Sequence, residues 1–129
     1  MLSKAGGTIP AHCSSLGRAI LSHSPTARVD DVIADGLWSR TPHTTTDPGA
    51  LRQQLVTSAR RGWAIDDEEG NLGIRCVGAA LRSSLGEVVG ALSVTGPVTL
   101  VQPGRLGPTL RATAAAASRR YANLPPRIA

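Results

Sequence analysis

WAIDDEEGNLGIRCVGAALRSSLGEVVGALSVTGP, residues 63–97, is where the chain stops reading as helix and starts reading as sheet. Upstream, apolar residues return every three or four positions. Here they alternate, and alternation puts successive side chains on opposite faces of a strand. Residues 63–67, 73–82 and 87–95 are predicted as three strands, separated by the EEGN turn and the RSSLGE hairpin. Gly96 and Pro97 are expected to stop the third. Its two sides differ: Val88, Gly90, Leu92 and Val94 fall on one, Val89, Ala91, Ser93 and Thr95 on the other. Two hydroxyls in so apolar a strand mean that this face is wet, or that something polar lies against it.

A symmetric turn sets the expected hairpin register, and charge supports it. A symmetric turn centred between Ser84 and Leu85 pairs Arg82 with Glu87, opposite charges across the ladder. On that register Cys76 faces Ser93 and Ile74 faces Thr95. Cys76, Gly78, Ala80, Ala91, Ser93 and Thr95 then share one face, a small-walled patch with three weakly polar groups. A slip of one residue would scatter them.

Outward from the sheet the period is helical. Residues 1–12 are irregular, with Gly6-Gly7 and Pro10. CSSLGRAILSH (13–23) predicts a short helix capped by Ser14 or Ser15, with Leu16, Ala19 and Ile20 on one side. Ser24 followed by Pro25 reads as a cap and first residue of a second helix, carrying Val29, Val32 and Ile33 and ending at Gly36. Asp47 and Pro48 open a third, with Leu51, Leu55 and Ala59 inward and Gly62 closing it. A fourth is predicted from about Gly107 to Asn123, with Leu106, Leu110, Ala114 and Ala117 inward and Pro125-Pro126 ending it. The expectation is an α/β (α+β) fold, an antiparallel sheet flanked by helices, as one domain over 1–129 with a Pro-rich tail at 124–129.

Composition fits that reading. At 129 residues, 41% hydrophobic and 18% charged, the chain is globular in type. It has no Phe, two Trp and one Tyr, so Leu, Val, Ile and Ala must build the core. The net charge of +5 suggests nucleic acid, but Lys4 is the single lysine and the arginines are dispersed from Arg18 to Arg127. Arg60-Arg61 suits a helix end, where cations complement the dipole, and Arg119-Arg120 reads as solvated surface. Cys13 and Cys76 form neither a disulfide framework nor a zinc knuckle by spacing. No apolar leader and no spanning run is present in the sequence, and a soluble, cytoplasmic protein with reduced thiols is expected.

PAHCSSLGRAIL (10–21) and TPHTTTDPGALRQQLVTSARRGWAIDDEEGNLGIRCVGAALRSSLGEVVGALSVTGP (41–97) resemble, motif after motif in order, the effector-binding domain of the IclR family of bacterial transcriptional regulators. The resemblance covers roughly residues 7–123. Trp63 stands where the family usually has Tyr, and Arg18 where it usually has Lys. It implies a GAF-like domain holding a small organic effector, a carboxylate or aromatic acid, between sheet and helices. The family's ligand-contacting positions map to Ser15, Leu16, Asp66, Cys76, Ser93 and Thr95. It also implies a homo-oligomer, dimer or tetramer, with no cofactor, no metal and no membrane. Family members carry a winged helix-turn-helix, a linker helix and the domain's first strands ahead of this region. None is read before Gly7, so the sheet is expected to be incomplete at its N-terminal part. DNA would then be met only through a winged helix absent from this chain. Those early strands lie beside 87–95 in the family, which leaves that strand an edge.

Each candidate residue also has a plainer reading. The CSSLG turn presents free helix N–H groups to an anion, but ordinary N-capping uses the same residues. Asp66 shares its side with Ala64 and Glu68 and could face solvent. Cys76 could be a small core residue, and His43 a loop or cap residue. His12, Cys13, Asp66 and Cys76 make an awkward zinc set, because the first two are adjacent. The competing function is a thiol-dependent enzyme on a GAF-like fold, with Cys13 and Cys76 as the reacting pair. That chemistry needs a thiolate whose pKa is depressed, and the sequence supplies no base to activate one; no catalytic residue is assigned.

Overall fold

The structure, a computed structural model, describes residues 4–124. Helix α1 (Ser15–Ser22) is capped by Ser14, whose hydroxyl accepts from the Gly17 N–H at 3.1 Å and donates to the Pro10 carbonyl at 2.6 Å. Helix α2 spans Thr26–Ala34 and α3 spans Pro48–Arg61, the latter capped by the Asp47 carboxylate on the Ala50 N–H and closed by Gly62. Contrary to the sequence expectation, Ser24 does not cap α2. Its hydroxyl donates instead to the Ile20 carbonyl at the end of α1, and Pro25 takes the cap position. Leu21, Val29, Leu51 and Leu55 bind the three helices into one apolar cluster. Burying a side chain such as Leu51 contributes about 1.5–3 kcal/mol.

The three strands are β1 (Ala64–Asp67), β2 (Ile74–Arg82) and β3 (Val88–Pro97), antiparallel in the order β1-β2-β3. β3 runs past its expected stop, because Gly96 and Pro97 still pair with Arg75 and Ile74. The hairpin register also differs from the sequence expectation. Cys76 faces Thr95, Gly78 faces Ser93 and Ala80 faces Ala91, while Arg82 pairs with Val88 and not with Glu87. The cause is the turn. Gly86 adopts φ 82 and donates to the Ser83 carbonyl, so the tight turn closes one residue later and Ser83 pairs with Glu87. A bulge between Leu81 and Arg82 adds a second residue of offset. A two-residue shift conserves side, so the predicted small-residue face survives.

Helix α4 (Pro103–Ala122) begins a turn earlier than expected. Gly107, read as its start, lies inside it, as does Pro108. Gly107 is there because a Cβ would sit 2.2 Å from the Trp63 ring, and Pro108, inside the helix, has no N–H to donate to the Gly104 carbonyl. Pro125 and Pro126 lie outside the described residues. Leu110 and Ala114 are buried against Val77, Ala79 and Val101, with Leu106 packed beside them; Ala117 is half-buried. The sheet is thus a partition, with α1 and α3 on one face and α4 on the other.

Candidate ligand cavity between α1 and the sheet

Strand pairing brings two rows of side chains onto the α1 face: Asp66, Cys76 and Thr95 in one, Ala64, Gly78 and Ser93 in the next. Gly78 decides how near α1 can come. A Cβ there would lie 2.6 Å from the Ser15 carbonyl oxygen, so only glycine lets the helix start rest on β2. The result is a cavity of about 390 Å³ whose walls include Ser15, Leu16, Asp66, Cys76, Ser93 and Thr95. All six residues named from sequence line it. Its size is in the range of small-molecule sites.

Asp66 is buried, not solvent-facing, with 6% of its surface exposed. Its Oδ1 accepts from the Glu69 N–H at 2.9 Å and the Gly70 N–H at 3.3 Å, while Oδ2 has no hydrogen-bond partner among the described residues. Burial pushes its carboxyl above the ordinary carboxylate range, against the two backbone donors that favour the charge. The N–H groups of Ser15 and Leu16, at the first turn of α1, are likewise without a partner among the described residues. Across the sheet the Thr95 hydroxyl donates to the Cys76 Sγ at 3.2 Å. Ser93 and Thr95 are exposed and Cys76 is half-buried, so the cavity is open along β3.

The wall is held by a buried ion pair. Arg18 is 3% exposed; its guanidinium donates to Glu69, to the His12 carbonyl at 2.8 Å and to the Ile65 carbonyl at 2.9 Å. Glu69 also accepts from the Thr45 N–H at 2.7 Å. The Thr41 and Thr44 hydroxyls donate to the Glu68 and Glu69 carbonyls, each at 2.6 Å. This network fastens α1, the loop before α3 and the β1–β2 turn together. Glu68 keeps a left-handed backbone, φ 59, within it.

Sequence reading missed Arg40, Ile9 and Asn71, which also line the cavity, and named Cys13 only for the thiol and zinc readings. Arg40 lies in a loop, where no periodicity reports which way a residue faces. Cys13 and Cys76 do share the cavity, but burial raises both thiols above their ordinary value. That direction is opposite to what a nucleophilic thiolate requires. A His12 ring nitrogen is hydrogen-bonded to the Trp38 carbonyl oxygen at 2.8 Å, and among the described residues no three His, Cys, Asp or Glu converge on a metal position.

A family model described as bacterial transcriptional regulator IclR C-terminal matches residues 1–119. The chain belongs to the IclR family. Among curated IclR-type relatives, the HTH-type transcriptional repressor AllR of Klebsiella pneumoniae is 35% identical over 88% of this chain and 43% of its own length. The chain thus spans less than half of the curated relatives it matches. The crystal structure of Thermotoga maritima IclR superposes with a TM-score of 0.87 at 27% identity, covering 95% of this chain and 51% of that one. A double mutant of the Acinetobacter PobR inducer-binding domain, in complex with 3-hydroxybenzoic acid, superposes at 0.78 with 28% identity, over 88% of this chain and 69% of that one. The α+β architecture is therefore that of IclR C-terminal domains. Among the described residues of this IclR-family chain, no helix is long and apolar enough to cross a membrane.

Proposed function

We propose that this chain, read as a single domain, is the part of a cytoplasmic, non-enzymatic IclR-type regulator that senses a small organic acid and joins copies of the protein. The observation that carries the reading is the cavity wall. Two unpartnered N–H groups at the start of α1 stand near a buried carboxylate with one free oxygen, beside a thiol and two hydroxyls. The ligand's carboxylate would take the Ser15 and Leu16 N–H groups, where the helix dipole favours an anion. Cys76, Ser93 and Thr95 would meet its other polar atoms. Asp66 Oδ2 accepts a hydrogen bond from a hydroxyl or hydrated carbonyl at the ligand's neutral end. The inducer-binding domain of PobR, with its hydroxylated acid, supports that class.

DNA recognition would belong to a winged helix-turn-helix outside this sequence, with repression or activation set there. On its own the chain's net charge of +5 gives only weak binding to DNA, lost as salt rises. A base-sequence preference surviving moderate salt would refute this division of labour. The direct test is titration calorimetry with a panel of small acids. Ser93→Ala should weaken binding by about 0.5–1.5 kcal/mol, the net value of one hydrogen bond, or roughly 2- to 13-fold. Unchanged affinity for every acid, combined with earlier unfolding, would make the hydroxyls structural.

A further inference from the structure

Arg40 is the sole cationic side chain among the residues that line the cavity, and Asp66 the sole acidic one. Its surroundings set it apart from the other arginines near the sheet. Arg18 is committed to Glu69 and two carbonyls, Arg61 donates to the Trp63 carbonyl, and Arg75 holds Asp67 and the Val98 and Val101 carbonyls. The Arg40 guanidinium has no ion pair or hydrogen bond among the described residues. Its contact is with the Trp38 ring, 5.8 Å from the centroid. The backbone beneath it is pinned. The Arg40 N–H donates to the Thr44 hydroxyl at 3.0 Å, and Thr41 and Thr44 are themselves fastened to Glu68 and Glu69. A fixed Cα thus carries a guanidinium with no anionic partner among the described residues.

The position of that guanidinium is informative. Arg40, Ile9 and Leu16 line both this cavity and a wider groove of about 1280 Å³ running along α1 and α2. Arg40 therefore stands where the cavity opens into the groove. Its charge is felt at the Cys13 thiol inside, which it pulls down against the effect of burial. The cavity thus offers a ligand the Ser15 and Leu16 N–H groups, a buried acceptor at Asp66 and the Arg40 guanidinium.

Resting on the effector-site reading above, the geometry points to Arg40 as the residue that selects a hydroxylated dicarboxylate, by pairing with a second carboxylate at the cavity mouth. A monoacid would leave the guanidinium unused. A planar fork suits a carboxylate bidentately, and such charge-assisted bonds are the strong ones.

The test is calorimetry of lactate against malate, which differ by one carboxylate, and of 2-hydroxybutanoate against 2-hydroxyglutarate. Wild type, Arg40→Gln and Arg40→Lys are compared. The side chain is exposed and its one contact is with the equally exposed Trp38 ring, so all three should unfold at nearly the same temperature. Wild type should bind a diacid about tenfold or more tighter than its monoacid partner. Arg40→Gln should bring the diacid down to the monoacid's affinity and leave the monoacid unchanged, with Arg40→Lys between. Equal affinity of wild type for the members of each pair, or an equal loss of both in Arg40→Gln, overturns the assignment while leaving the cavity as the effector site. Failure of all four acids to bind wild type overturns the cavity reading, and this one with it.

Discussion

At Asp66 one carboxylate oxygen takes two backbone donors and the other takes no backbone donor, in a side chain that is largely buried. Because burial raises its pKa, the folded chain holds this proton at pH values where the unfolded chain has lost it. Stability should fall as pH rises from the ordinary carboxylate value through the raised one, and the cost should be absent below both. Asp66→Asn keeps an acceptor for the Glu69 and Gly70 N–H groups without the charge. It should unfold at higher denaturant than wild type at pH 7 and at the same denaturant near about pH 3. A variant less stable at pH 7 would mean that the charge is stabilising. Glu69→Ala should behave oppositely. It leaves Arg18 buried and unpaired, at a cost of about 3–5 kcal/mol in urea unfolding, with Arg18→Lys milder than Arg18→Met. The sequence left Asp66 undecided because AIDDEE looks solvated. What buries it is the start of α1 packed on the sheet, a contact from far along the chain that no local pattern reports.

Among elements, the approach of α1 to β2 is the contact on which the cavity depends. Gly78→Ala puts a methyl into the Ser15 carbonyl, so the helix must move off the strand. Such overpacking costs about 1–3 kcal/mol, and affinity for every acid in the calorimetric panel should fall along with it. Loss of stability with binding intact would mean that α1 does not position the site. The strands and the third helix were legible because alternation, Asp47-Pro48 and Gly62 all point the same way. The hairpin register was not. Arg82 and Glu87 offered a plausible ion pair, but Gly86 in the left-handed region closed a different turn, and local backbone geometry outweighed one exposed charge pair. The first turn of α4 was missed for a related reason: Gly107 answers to the Trp63 ring, a tertiary demand, not to helix propensity.

For the whole molecule, the sheet has an outer strand, β3, with no strand partner beyond it among the described residues. The strand itself carries no charged residue, and Val89 and Val94 are 43% and 39% exposed. Residues 4–12 contribute no strand to it. An uncharged edge with free N–H and C=O groups invites pairing, so the chain should associate as its concentration rises. Light scattering should show this, and Val89→Lys should suppress it; a monomer persisting at high concentration would count against it. A sheet one residue thick that separates two helical layers has a further consequence, for lineages and not for single molecules. Lengthening the 83–87 hairpin loop by one residue would exchange the rows of β3, sending Ser93 and Thr95 toward α4 and Leu92 and Val94 toward α1. Lengthening it by two would slide the rows and spare both layers. Insertions that survive at this loop in relatives should therefore come in even numbers, or in odd ones absorbed by the bulge at Leu81 and Arg82.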